Sequence, residues 1–212
     1  MYIELRDYHY RYKRTVEPTI EPVTITDMQD HIYGYDSADE SYITGLITVA
    51  RQMFEEFTSL AILEQTWQLS IPGFPLRIKI RKSPIRSISG ITYYDSSGTQ
   101  QTLSASYYRS SMHEFTSIVD EAYGKSWPAT EQWRDDAVTV TFVAGIYTDD
   151  GGSPLAVDTG TGSYLVRKYA MAQQAIKLMV AHLFENRSAV VPIQLSECPL
   201  AFRAMVEACR AR

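Results

Sequence analysis

The stretch "SADESYITGLITVARQMFEEFTSLAILEQTWQLSI" (residues 37–71) changes its hydrophobic period part-way along. Ile43, Leu46, Ile47, Ala50, Phe54 and Phe57 recur three and four apart, while Glu40, Glu55 and Glu56 take the polar positions. That spacing predicts an amphipathic helix over roughly 39–58. Ser37-Ala38-Asp39-Glu40 reads as the capping box that opens it. From Trp67 the period drops to two: Trp67, Leu69 and Ile71 alternate with polar residues, as in a strand with one buried face.

Working outward, the period of two persists in Leu76, Ile78 and Ile80, and again in Val138, Val140 and Phe142. "TYYDSSGTQQTL" (92–103) reads as a hairpin turning at Asp95 to Gly98. Upstream, Thr26 to Gln29 reads as a capping box for a short helix that Gly34 ends. Downstream, "TDDGGSPLAVDTGTGS" (148–163) has the composition of a loop. Helical spacing then resumes in Leu165, Tyr169, Ala172, Ile176, Met179, Val180 and Leu183. A last helix carries Phe202, Met205, Val206 and Cys209, with Pro199 suited to its first turn.

The order helices, strands, helices predicts an α+β fold. N- and C-terminal segments form a helical bundle, and a small antiparallel β domain is inserted between them. The expected divisions are an extended N-terminal arm (1–22), a helical part (23–64), the β domain (65–147), a flexible loop (148–163) and C-terminal helices completing the core (164–212).

The chain has 212 residues, 45% of them hydrophobic, which is enough for a real core. The formal charge of −5 argues against a general nucleic-acid binder acting by net charge. No apolar run approaches the roughly 18–20 residues that span a bilayer, and "MYIELRDYHYRYKR" lacks the apolar stretch of a secretory signal. Cys198 and Cys209 read as reduced thiols, without the histidine spacing of a zinc site.

The charge is segregated. Residues 27–64 hold eight carboxylates against Arg51 alone, whereas 77–86 carries Arg77, Lys79, Arg81, Lys82 and Arg86 with no acid. Such runs are either solvated faces or complementary patches between identical subunits. In the N-terminal arm, Tyr8, Tyr10 and Tyr12 alternate with His9, Arg11 and Lys13. A strand there would put aromatics on one face and bases on the other. Such an arm can dock on another protein's sheet edge or groove, or stack on nucleic acid; docking is the favoured reading.

"LMVAHLFENRSAVV" (178–191) gathers a histidine, a glutamate, an asparagine and an arginine, the residue types of a catalytic cluster. His182 and Glu185 stand at i and i+3 and can touch on a helix. The second histidine of a His-Glu-x-x-His site is missing, and no phosphate-loop, dinucleotide or nucleophile-elbow motif occurs elsewhere. The expectation is therefore no enzyme, no metal site and no cofactor, with Arg187 at a helix C-terminus where the dipole favours a cation.

Several short motifs stand in an order that carries a resemblance. They are Pro22-Val23-Thr24, the acidic turn Asp36 to Glu40, Phe57-Thr58, Gln65-Thr66-Trp67, "KSPIRSISGITYYDSSGTQQTL", "AYGKSWPAT" (122–130), "VTVTFVAGI" and "HLFENRSAV". Together, over roughly residues 22–190, they resemble the head–tail connector (adaptor) proteins of tailed phages, in their long variant. The loop 148–163 is longer than that family's pattern, and residues 1–20 have no counterpart in it.

The resemblance implies a non-enzymatic ring, typically of twelve copies, below the portal protein. The ring would extend the channel for viral double-stranded DNA and join a tail or neck stopper or terminator protein. It implies a place in the virion neck after synthesis in the host cytoplasm, with no membrane partner. Within that frame Tyr8, Tyr10, Arg11, Tyr12, Arg77, Lys79, Arg81 and Arg187 are interface candidates, and Asp39 and Glu40 are candidates to face the channel. The alternative is a β-domain binding module of another neck or tail component.

Overall fold

A computed structural model describes residues 10–111, 117–147, 162–187 and 200–210, with side chains of the third helix described from Tyr169. The fold is α+β, as the periodicities predict. The chain forms two compact units, Met1–Glu17 with Glu64–Gly145, and Pro18–Leu63 with Ile146–Arg212.

The second unit is helical. Its helices are α1 (Ile25–Gln29), α2 (Glu40–Thr58), α3 (Gly162–Glu185) and α4 (Leu200–Cys209). The first helix opens two residues before the expected box. Thr24 is the N-cap: its hydroxyl accepts from the Asp27 N–H, and Asp27 accepts from the Thr24 N–H. Serine at 37 is not a cap either. Asp36 caps a single 3₁₀ turn, Ser37–Asp39, that leads into α2. In both places an acid or hydroxyl one or two residues upstream captures the free N–H groups first.

Helix α2 buries Ile43, Ile47, Ala50 and Phe54 against Ala172, Ala175, Ile176, Met179 and Val180 of α3 and Phe202, Val206 and Cys209 of α4. Alanines at 50, 172 and 175 leave room for the helices to approach, and each large side chain so buried contributes about 1.5–3 kcal/mol. Ser59, at φ 59°, ends α2 in the left-handed conformation. Two expectations for α2 are corrected. Phe57 is about half exposed, and Glu55 is buried, because Arg51 lies buried beside it and pairs with it.

The first unit holds two antiparallel sheets. One has the order β1 (Arg11–Val16), β2 (Gln65–Ile71), β8 (Val138–Ala144), β4 (Ile85–Tyr94), β5 (Gln100–Leu103). The other is β3 (Ile78–Ile80), β7 (Ser117–Glu121), β6 (Tyr108–Ser111). Alternation places Leu69, Ile71, Val138, Val140, Phe142, Ile91, Ile78, Ile80 and Val119 fully inside. The turn at Asp95 to Gly98 joins β4 to β5 as read from the sequence, with the Gly98 N–H bonded to the Asp95 carbonyl. Leu76, read as a buried strand residue, precedes β3 and is 84% exposed.

The N-terminal segment differs most from its expectation. Arg11–Val16 is extended, but it pairs with β2 of its own chain, Tyr12 opposite Leu69 and Arg14 opposite Trp67. Over these residues it is the edge strand of a sheet rather than an arm reaching elsewhere. The expected loop lies, over 148–161, outside the described residues, as do Tyr8, Cys198 and Pro199. Cys209 is a buried thiol.

Candidate assembly surfaces

Two surfaces hold most of the described interface and channel candidates, and another, on the β unit, carries exposed aromatics. The first is the edge of the β unit where β1 and β3 end their sheets. The Arg81 N–H donates to the Tyr12 hydroxyl at 3.0 Å, which ties the two edges together. Burial of Tyr12 raises its phenol pKa, so the hydroxyl stays protonated. Tyr10, Arg11, Tyr12, Lys79 and Arg81, from segments read as two separate features, therefore belong to one region. Tyr12 is half-buried, whereas Arg11 and Lys13 leave the other face of β1 exposed. Lys79 leaves β3 opposite the buried Ile78 and Ile80, so the cations wrap around this edge. Arg14 and Lys82 lie over the Trp67 ring, at 5.6 and 4.9 Å from its centroid. Arg77 is engaged separately, 3.4 Å from Asp120.

The second surface is the loop-bearing end of the same unit. Trp127 stacks on Phe74 with ring centroids 4.7 Å apart and 5° between planes, and Phe74 meets Tyr93 edge-on. The guanidinium of Arg134 lies 3.4 Å over Tyr94, with hydrogen bonds to Asp136 at 2.9 Å and Glu131 at 3.2 Å. Next to it Trp133 adopts φ 67° and is 94% exposed. Asp95 is held well below the usual carboxylate range, at about 2, by the Ser97 hydroxyl, the Gln101 amide and the Thr99 N–H. The sequence marked this end through its turn residues and "AYGKSWPAT" (122–130), but not through Trp133, since one exposed tryptophan carries no periodic signal.

The third lies in the helical unit, where α3 ends beside the start of α2. Arg187 bonds Asp39 at 2.9 Å and lies over Phe184 and Tyr42, at 4.3 and 4.9 Å from their centroids. It also donates to the Phe184 carbonyl at 3.4 Å, as a cation at a helix C-terminus should. Glu40 accepts from the Tyr35 hydroxyl at 2.7 Å. His182 is met by Asn186, whose amide donates to the His182 carbonyl at 2.8 Å. Much of the acidic run is neutralised within the chain: Asp27 by Lys177, Asp39 by Arg187, Glu55 by Arg51 and Glu64 by Arg86.

Among the described residues no group of three or more histidines, cysteines and carboxylates could hold a metal ion, and no helix is long and apolar enough to cross a membrane. What the described residues present is a cationic edge, an aromatic end with carboxylates around Trp133, and an internally clamped helix junction.

No family model matches the chain, and no curated protein matches it. Solved structures do share its fold. A chain in the neck of an empty gene transfer agent particle, computed with C6 symmetry, is 17% identical, with a TM-score of 0.68 over 95% of this chain and 96% of that one. A chain in the virion of the native particle is 17% identical, with a TM-score of 0.67 over 95% of each. A chain in the native particle's neck, computed with C12 symmetry, is 18% identical, with a TM-score of 0.63 over 94% and 96%. At this identity the likeness is one of fold, and it runs through both units.

Proposed function

We propose that the chain is a structural component of the neck of a phage-like particle, acting as its head–tail adaptor. In this role it forms a ring, of twelve copies in the reading from sequence, below the portal protein. The ring extends the DNA channel and offers a surface to the tail or neck stopper. The observation that carries the proposal is the whole-chain likeness to neck chains of a gene transfer agent particle. A shared sheet alone would say little about role. Here the helical unit and the β unit are matched together, in particles whose necks were computed with rotational symmetry. The motif order from Pro22 to Val190 points the same way independently.

The surfaces suit this role. A ring of identical subunits repeats one contact between two different faces, so each copy needs two complementary patches.

The test is electron microscopy of particles from which the gene has been removed. Full heads lying apart from free tails are expected. Normally joined particles would overturn the adaptor role and favour a peripheral binding module.

A further inference from the structure

The loops of the β unit converge on one end of it. Ile71 of β2 and Tyr93 of β4 both pair with Val138, and Ile78 of β3 pairs with Val119. Residues 72–77, the turn at 95–98 and residues 122–137 therefore share an end. The opposite end, where Gln65 and Ile85 both pair with Ala144, is where the chain leaves for its other unit. The loop end is thus the end of the β sheet away from these chain crossings. It carries Leu76, Tyr123 and Trp133, exposed by 84%, 102% and 94%.

The backbone beneath them is braced by neighbouring side chains. The stack of Trp127 on Phe74 fixes the base of the loops. Trp133 sits in a backbone region that bulky residues avoid, and the neighbouring Arg134, clamped on Tyr94, Glu131 and Asp136, fixes the loop there. An aromatic whose backbone is already fixed has less freedom to lose on binding, which suits an interface anchor. The charge around it chooses the partner. Nearest Trp133, Asp95 and residues 131–136 supply four carboxylates against one guanidinium, which bonds Glu131 and Asp136, while Arg77 and Lys125 stand elsewhere on the same end. A nucleic-acid backbone or an anionic membrane would be repelled, and a cationic protein surface attracted.

The chain carries such a surface. Arg11, Lys13, Lys79 and Arg81 are exposed on the edge where β1 and β3 meet, and no carboxylate pairs with any of them among the described residues. Trp67, under Arg14 and Lys82, places an aromatic ring among the cations of the same edge.

We infer that the acidic aromatic end of one copy's β unit, centred on Trp133, docks on the cationic β1/β3 edge of a second copy. The contact is head-to-tail, so repeating it builds a closed ring or an open chain. The inference rests on the proposed assembly and names the surfaces that make it.

Carbodiimide cross-linking tests it, because the reagent joins a carboxylate to a lysine in direct contact. Assembled particles, and the purified chain mixed as 14N and 15N copies, are treated and the cross-linked peptides sequenced. Links from Asp135, Glu131 or Asp95 of one copy to Lys13 or Lys79 of another are expected. Trp133→Ala, and separately the pair Lys79→Glu with Arg81→Glu, should cut this yield roughly tenfold or more. Asp135→Lys placed together with the glutamate pair should recover part of the loss, which a merely misfolded variant would not. If the chain is found in joined necks but its carboxylates link to lysines of another protein, or to none, the inference falls and the neck reading stands. If the chain is absent from the particles and its copies do not associate, both fall.

Discussion

The backbone N–H of Arg81 donates to the Tyr12 hydroxyl across 69 positions of sequence. One phenol thereby fastens the first strand of the chain to the end of β3. Tyr12→Phe keeps the packed ring and orphans a single N–H, so a loss of about 1 kcal/mol is expected. Tyr12→Ala also empties the ring's place, for a loss of about 3 kcal/mol. Thermal unfolding of the purified chain measures both. If Tyr12→Ala unfolds like the parent, β1 contributes nothing to the unit.

Removal of residues 1–16 goes further. It strips β1 from β2 and leaves a bare edge beside Trp67. Lower stability and a tendency to aggregate are expected, read by unfolding and light scattering. A truncated chain as stable and monodisperse as the parent would restore the picture of an independent arm.

In the helical unit the corresponding fastening is ionic. Arg51, 2% exposed, bonds Glu21 at 2.7 and 3.2 Å and Glu55 at 3.0 Å, and Glu55 accepts from the Ile62 N–H at 2.9 Å. Arg51→Ala takes the guanidinium away from the buried Glu55 carboxylate, so about 3–5 kcal/mol should be lost. Combining Arg51→Met with Glu55→Gln removes both charges and keeps an acceptor for Ile62. Denaturant unfolding should show that pair to be more stable than Arg51→Ala alone. The reverse order would mean that Glu55 is not stranded by the single change.

How far the sequence announces these features depends on whether they repeat. Helix α2, β2 and β8 are periodic, so hydrophobicity locates them to within a few residues, and turn residues mark the hairpin at Asp95. The buried Arg51 is not periodic. Its place on the apolar face of α2 shows only once Glu21, 30 positions upstream, folds back to meet it. The same holds for the first strand. Alternation in Tyr10 to Lys13 revealed extended chain, but nothing local states which sheet an edge will join. The short strand β6 was missed because Tyr108–Ser111 is largely exposed and carries little hydrophobic signal. Of the surface candidates, the cations were legible as a run without acids. The exposed Trp133 was not, because its meaning lies in a backbone conformation.

Asp27 makes the helical unit sensitive to acid. Hydrogen bonds from the Thr24 hydroxyl and N–H, and the Lys177 ammonium at 3.0 Å, lower its pKa from 3.8 to about 2. A lowered folded-state value means that the stabilisation is fully present above the unfolded value near 3.8 and is lost as the pH falls toward 2. Its side chain is 37% exposed, so solvent limits the size of the effect. Asp27→Asn should lower stability at pH 6 and shrink the difference from the parent below pH 3. A difference that is constant with pH would remove the carboxylate from the account.

The proposed channel role separates Asp39 from Glu40. Asp39 is paired with Arg187, so reversing its charge also breaks a fastening between α3 and α2. Among the described residues Glu40 accepts from the neutral Tyr35 hydroxyl and pairs with no cation. Glu40→Gln keeps an acceptor for Tyr35 and removes the charge alone. If the start of α2 faces passing DNA, less repulsion of the phosphates should slow ejection from particles carrying this variant, more so at low salt, where a Debye length of roughly 10 Å at 0.1 M grows longer. Charge reversal by Glu40→Lys should slow it further. Ejection at the parental rate in both variants and at both ionic strengths would place Glu40 away from the channel, without touching the evidence for the fold.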